Sequence, residues 1–289
     1  MTIIESLHTL TASIATVTNA GGKTTKEYDR ILTRWNDYAN QASTAQQQLT
    51  AAILGKETPE RIAELNALTL AELANHVDRA TVMNAVADEV YPALRNEYAK
   101  TAAANYEALA AKFNTTAQTL TEAMQAVDIE TAPEHLMSGT DEQRSAWAHA
   151  PALAAALTSQ VPNLTEAARL AGLTIQGADG TLPLTVNPGA LHRRRVWEAW
   201  ENATGRAGKW GALITLGATI EASDLDEYKH YRRPAPIETR YEQVGRGMHR
   251  PVEIDPEDQH HRGGATADQL APSMNTARTK PFVGDYVGI

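Results

Sequence analysis

There is no cysteine in this chain of 289 residues, which excludes disulfides, thiolate nucleophiles and cysteine-ligated metals. Phenylalanine occurs only twice, and the 43% hydrophobic fraction leans on alanine, so the apolar area per residue is modest and a thin, extended packing is expected. Basic excess is missing too. The formal charge is −9, and residues 1–160, with 19 Asp and Glu against 11 Lys and Arg, carry 8 of those negative charges. That distribution argues against wholesale nucleic-acid binding and leaves room only for a local basic contact. No apolar run approaches the ~20 residues a bilayer requires. The opening MTIIESLHTLTASIA has Glu5 and no cationic start. A soluble, intracellular protein with no membrane partner is expected. No Gly-rich phosphate loop ending in Lys-Ser/Thr, G-x-S-x-G elbow, H-E-x-x-H or post-strand G-x-G-x-x-G occurs.

The first half of the chain has heptad rhythm. Ile3, Leu7, Leu10, Ile14 and Val17 alternate steps of four and three up to Gly21-Gly22. Thr24 to Glu27 has capping-box spacing, and Tyr28, Ile31, Trp35, Tyr38, Ala42, Ala45, Leu49 and Ala52 continue the seam to Gly55. One rod of about 45 Å is expected there. Thr58-Pro59 signals another start and Thr69 with Glu72 a third, which makes 59–68 a short helix of its own. Seams then run from Leu70 to Tyr98 and from Ala102 to Leu120, with a kink or break at Pro92. Short connections imply antiparallel hairpins. The predicted fold class is mainly α: an elongated antiparallel helical bundle over 1–130 with heptad seams, a small mixed α/β module over 131–233, and an extended C-terminal arm over 234–289.

Within the module, Thr140 with Gln143 opens a helix interrupted at Pro151, and Asn163 with Glu166 opens a short one closed by Gly172. The stretch LTIQGADGTLPLTV reads as a small β-hairpin about its Asp-Gly turn, with Pro183 restricting the second arm to an edge. Asn187-Pro188 starts a helix that Gly205 stops. Residues 210–220, WGALITLGATI, suit either a buried strand or a buried helix. Ser223 with Asp226 signals a last short helix. Beyond Arg233, residues rich in Pro, Gly, His and mixed charge cannot bury enough surface to offset their ordering entropy. They end in KPFVGDYVGI, an apolar plug on a tether, which docks either on its own body or on another subunit.

The candidate chemistry is sparse. In ALHRRRVWEAW, Trp197 and Trp200 share one helix face with Val196 and Ala203, a core face. Arg194 and Arg195 lie within reach of Glu198, and Arg193 can stack on Trp197. A phosphate contact through Arg193, Arg194 and Arg195, extended by Lys229, Arg232 and Arg233 of KHYRRP, requires the two clusters to meet in space. His249, Glu253, Asp255, Glu257, Asp258, His260 and His261 are ligand types for a divalent metal, but on a Pro/Gly-rich arm they read as a solvated linker. The carboxylate pairs Asp88-Glu89 and Asp141-Glu142 read as solvated faces, and His76 and His149 as ordinary helix residues. NLTEAARLAGLTI has the outline of a first helix and turn of a helix-turn-helix, followed by nothing that reads as a recognition helix.

The arm after Arg233 and its closing KPFVGDYVGI resemble, in layout, the structural proteins of tailed-bacteriophage particles, whose extended arms latch neighbouring subunits. The resemblance implies a virion or assembly protein, not an enzyme, without cofactors. Its partners would be copies of itself or other structural subunits in an oligomer; no binding residue carries over from the resemblance, and the latch on a neighbour is read from the apolar plug itself, Phe282, Val283, Tyr286, Val287 and Ile289. Two alternatives come from the residues alone: a nucleic-acid-associated module using the Arg/Trp patch, and a metal-dependent enzyme using the tail histidines.

Overall fold

The computed structural model describes residues 2–40, 45–55, 57–74, 76–230, 233–245 and 248–256. The chain is mostly helical with few strands. Contacts divide it into two compact units, 1–109 with 166–173, and 110–165 with 174–289, so the division falls inside long helices and not at the composition change near residue 130.

In the first unit, α1 (Ile3–Asn19) starts with a capping box: Thr2 Oγ1 accepts from Glu5 N while the Glu5 carboxylate accepts from Thr2 N. Helix α2 (Lys26–Ala39) is capped by Thr25, one residue after the expected cap, and α3 (Ala45–Leu54) is a separate helix, so the single 45 Å rod is not formed. Helix α4 (Pro59–Ala74) starts at the expected Thr58-Pro59 and runs through Thr69. Thr69 sits inside that helix because its hydroxyl donates back to Leu65 O at 2.8 Å, which removes it as a cap. Leu7, Ile14, Tyr28, Trp35, Ala87, Leu94, Tyr98 and Ala102 form the core. At its end Asn105 clasps the α1–α2 loop, its Oδ1 accepting from Lys23 N at 2.7 Å and its Nδ2 donating to Lys23 O at 2.8 Å. Gly22 is required beneath this clasp, since a Cβ there would meet Val17 Cγ1 at 2.8 Å.

Helix α5 (His76–Ala126) is continuous through Pro92. Pro92 and Asp88, whose carbonyl loses its donor, both lie on the exposed side, where solvent satisfies the carbonyl. Helix α6 (Asp141–Leu170) likewise absorbs Pro151 and Pro162, and the break expected at Pro151 and the fresh start at Asn163 are both absent. Its Thr140–Gln143 capping box forms as expected, and Gly172, at φ +108°, closes it with Leu173 N donating to Ala168 O.

In the second unit the predicted hairpin over 173–186 is not a hairpin. Helix α7 (Gly177–Thr185) occupies its Asp-Gly turn and Pro183; the Thr181 and Thr185 hydroxyls donate back to Gly177 O and Thr181 O, and Leu182 and Leu184, on different sides of the helix, are both buried. Strand β1 (Val186–Asn187) pairs antiparallel with the distant β2 (Thr219–Ile220). Helix α8 (Arg193–Glu201) begins at His192 rather than at Asn187-Pro188, and α9 (Gly208–Leu216) ends at Gly217, φ +94°, before β2; residues 210–220 are therefore helix first and strand second. Residues 224–228 form a turn, not the expected helix. A β-hairpin does occur, but in the expected arm: β3 (Glu238–Gly245) pairs with β4 (Met248–Ile254), with an irregularity at Gln243/Gly245. Pro251 is tolerated because a two-stranded ribbon leaves each strand an edge.

Candidate functional site

The second unit is organised around its aromatic residues. On α8, Val196, Trp197 and Trp200 are buried, as the spacing predicts. Trp200 meets Trp210 of α9 edge-on at 5.4 Å, Trp210 meets Phe113 at 5.8 Å, and Trp210 Nε1 donates to Thr158 Oγ1 at 2.9 Å. The Lys209 ammonium lies 4.0 Å from the Trp200 ring, and burial pushes its pKa down.

The arginines of ALHRRRVWEAW and KHYRRP divide. Arg194 does not turn to Glu198. Its guanidinium donates to both oxygens of Asp255 at 2.6 Å and also to Ala235 O, with its side chain 13% exposed and that of Asp255 1%. The planar fork matches a carboxylate, so a residue expected to contact phosphate instead ties the end of β4 to α8. Arg233 pairs with Glu201 at 2.8 Å and lies 5.8 Å from the Trp197 ring. Arg193 and Arg195 are half-buried on α8, and Lys229 lines a recess of about 480 Å³ with Glu221, Asp224 and Glu227. Arg232 lies outside the described residues, as do Glu257, Asp258, His260, His261 and the plug residues Phe282, Val283, Tyr286, Val287 and Ile289. Among the described residues no group of three or more His, Asp or Glu is placed to hold a metal. His149 is exposed and contacts Ser145 on its own helix.

A clasp that spacing did not reveal fixes the loop between α8 and α9. Arg206 stacks over Trp147 at 3.2 Å from its ring centroid and donates to Ile129 O and Trp147 O. Glu130 accepts from Arg206 N at 2.8 Å, and Trp147 Nε1 donates to Thr131 O. These partners are 16 to 77 residues apart, so no local pattern announces them. The stop expected at Gly205 falls earlier, since α8 ends at Glu201 with Asn202 as its C-cap; Gly205, at φ +107°, instead lets the loop turn against Glu130.

Ile129, Glu130 and Gly205, which the clasp holds, line an open groove of about 1150 Å³ between the end of α5 and the α8–α9 pair. Its floor is small side chains, Ala199, Ala207, Gly208, Gly211 and Ala212, and its apolar flanks include Met124, Ile129 and Leu216. A Cβ at Gly211 would meet Ala207 at 2.7 Å, so that floor is close-packed. Asp128, Glu130 and Glu198 face a single cation, Arg195, and the C-terminal turn of α5 has no basic residue to offset its partial negative charge. The groove is thus acidic, and wider than the ~300–1,000 Å³ typical of small-molecule pockets.

The chain matches no protein-family model, no curated protein and no solved structure among those compared. Among the described residues no helix is long and apolar enough to cross a membrane.

Proposed function

We propose that this is a structural, assembly-type protein that works by contacting other subunits, copies of itself or companions, rather than an enzyme. The observation that supports this best is the surface of the α3/α4 hairpin. Helix α3 carries no charged residue, yet Ile53 and Leu54 at its end are 59% and 83% exposed, and Leu68 and Leu70 on α4 are 53% and 58% exposed. Beneath them, among the described residues, a thin seam of Ala45, Ala52, Leu65 and Thr69 is buried. A hairpin with so little interior and so much aliphatic surface gains stability when another chain covers it. The layout of the C-terminal residues supports placing such an assembly in a tailed-phage particle, with the closing apolar segment as a latch. Light scattering on the full chain, alone and with its co-expressed neighbours, tests this. A mass above 31.3 kDa is expected, falling to that of one chain when Leu54 and Leu70 are both changed to Glu, with helical circular dichroism retained. A wild-type chain that keeps the single-chain mass under every one of these conditions refutes the proposal.

A further inference from the structure

The acidic groove of the second unit has no assigned occupant, and the chain itself supplies a segment that fits it. We infer that the groove is the receptor for residues 278–289, ARTKPFVGDYVGI less its first alanine, entered by Phe282 and Val283. The inference rests on the reading of that segment as a latch and adds where the latch lands.

Charge, shape and reach all point the same way. Asp128, Glu130 and Glu198 against Arg195 leave the groove two negative charges in excess, whereas Arg278 and Lys280 stand immediately before the apolar residues, and Asp285, farther along, is the one acidic side chain of 278–289. Opposite patches of this kind select and orient a partner more than they tighten it. Gly208, with nothing within 4 Å of where a Cβ would stand, and the half-buried Ala212 leave room for a chain lying close to the helix backbone, and the half-buried Met124 and Leu216 offer apolar contact to Phe282 and Val283. Between Pro256, the last described residue, and Arg278 lie 21 residues (257–277), which span up to roughly 70 Å when extended. The segment can therefore reach the groove of its own chain or of a neighbour.

The absence of cysteine makes a clean test. In the full chain, Val283→Cys is combined with Thr215→Cys or with Thr204→Cys, both exposed on the groove walls, and as a control with Thr115→Cys, exposed on α5 outside the groove. Circular dichroism confirms that each variant folds. Under mild oxidation at least one groove pair is expected to cross-link roughly tenfold or more faster than the control, because docking raises the effective concentration of the two thiols. Adding Asp128→Lys and Glu198→Lys, or raising the salt concentration, is expected to remove most of that advantage. If both groove pairs react no faster than the control, the inference is overturned. Cross-links within one chain support the receptor but count against the latch between subunits; cross-links between chains support both. A chain that proves monomeric by light scattering yet gives the intrachain product separates failure of the assembly proposal from failure of this one.

Discussion

Replacing Asp255 with Ala should destabilise the second unit by about 3 kcal/mol. The carboxylate is 1% exposed and accepts two charge-assisted bonds of 2.6 Å from Arg194. Each bond of this type contributes about 1.5–3 kcal/mol, and removing one member of a buried pair costs about 3–5 kcal/mol because the other charge is stranded. Arg194 retains Ala235 O and is 13% exposed, which relieves part of that penalty and places the expectation at the low end. Urea unfolding followed by the fluorescence of Trp197, Trp200 and Trp210 measures the loss. Hydrogen exchange should show the amides of β3 and β4, residues 238–254, exchanging faster, since the pair ties the end of β4 to α8. Two comparisons fix the interpretation. Arg144→Ala, whose partner Asp141 is 97% exposed, should cost at most about 0.5 kcal/mol. The double change Arg194→Met with Asp255→Leu should lie within about 1 kcal/mol of wild type, because neither charge is then left unpaired. A loss below about 1 kcal/mol for Asp255→Ala, with β3–β4 exchange unchanged, would refute the reasoning.

Gly205→Ala should cost about 1–3 kcal/mol, since it forces a non-glycine residue to φ +107° and sets its Cβ 2.8 Å from Glu130 Oε1, the acceptor of Arg206 N; adding Glu130→Ala should prove less than additive in urea unfolding, because the clash and the bond vanish together. Burial pushes the Tyr28 phenol from its ordinary 10 to about 12, with Asp29 and Tyr98 adding to the shift. The folded state thus favours the neutral phenol, a contribution fully present below pH 10 and lost as pH rises through about 12, at most about 2.7 kcal/mol for two units. The Tyr28 hydroxyl has no hydrogen-bond partner among the described residues, so Tyr28→Phe should leave neutral-pH stability nearly unchanged and flatten the alkaline loss; an equally steep alkaline loss in the variant would contradict this.

How far the sequence could be read depended on how local each determinant is. Caps are local: Thr58-Pro59, Thr140 with Gln143 and Gly172 all act where their spacing indicated. Seam residues such as Leu7, Ile14, Trp35 and Tyr98 are buried for the same reason, since a heptad is a statement about one helix face. Prolines misled because their cost depends on where the orphaned carbonyl points. At Pro92 it points to solvent, and at Pro151 the freed Trp147 O accepts from Arg206 instead. The Asp-Gly pair at 179–180 favours a hairpin only if its flanks find each other, and Val186 pairs with Ile220 instead. The mixed-polarity stretch after residue 237 carries a ribbon whose stability comes from backbone pairing and from Asp255, neither of which shows in hydropathy. The groove was illegible for the same reason as Arg206: its walls come from 124–130, 143 and 195–216.

The imino acid at 151 has a consequence for how this molecule tolerates change. By leaving the Trp147 oxygen without its usual helical donor, it creates an acceptor for a guanidinium 59 positions away, so a vacancy in one ladder serves as an anchor for a distant loop. An ordinary residue at 151 would mend the ladder and put a second donor on that oxygen, weakening one of the bonds that hold Arg206 at the moment the helix grew stronger. Selection on such a site would then act on the pair, with the missing helical hydrogen bond kept because the loop uses the oxygen it frees.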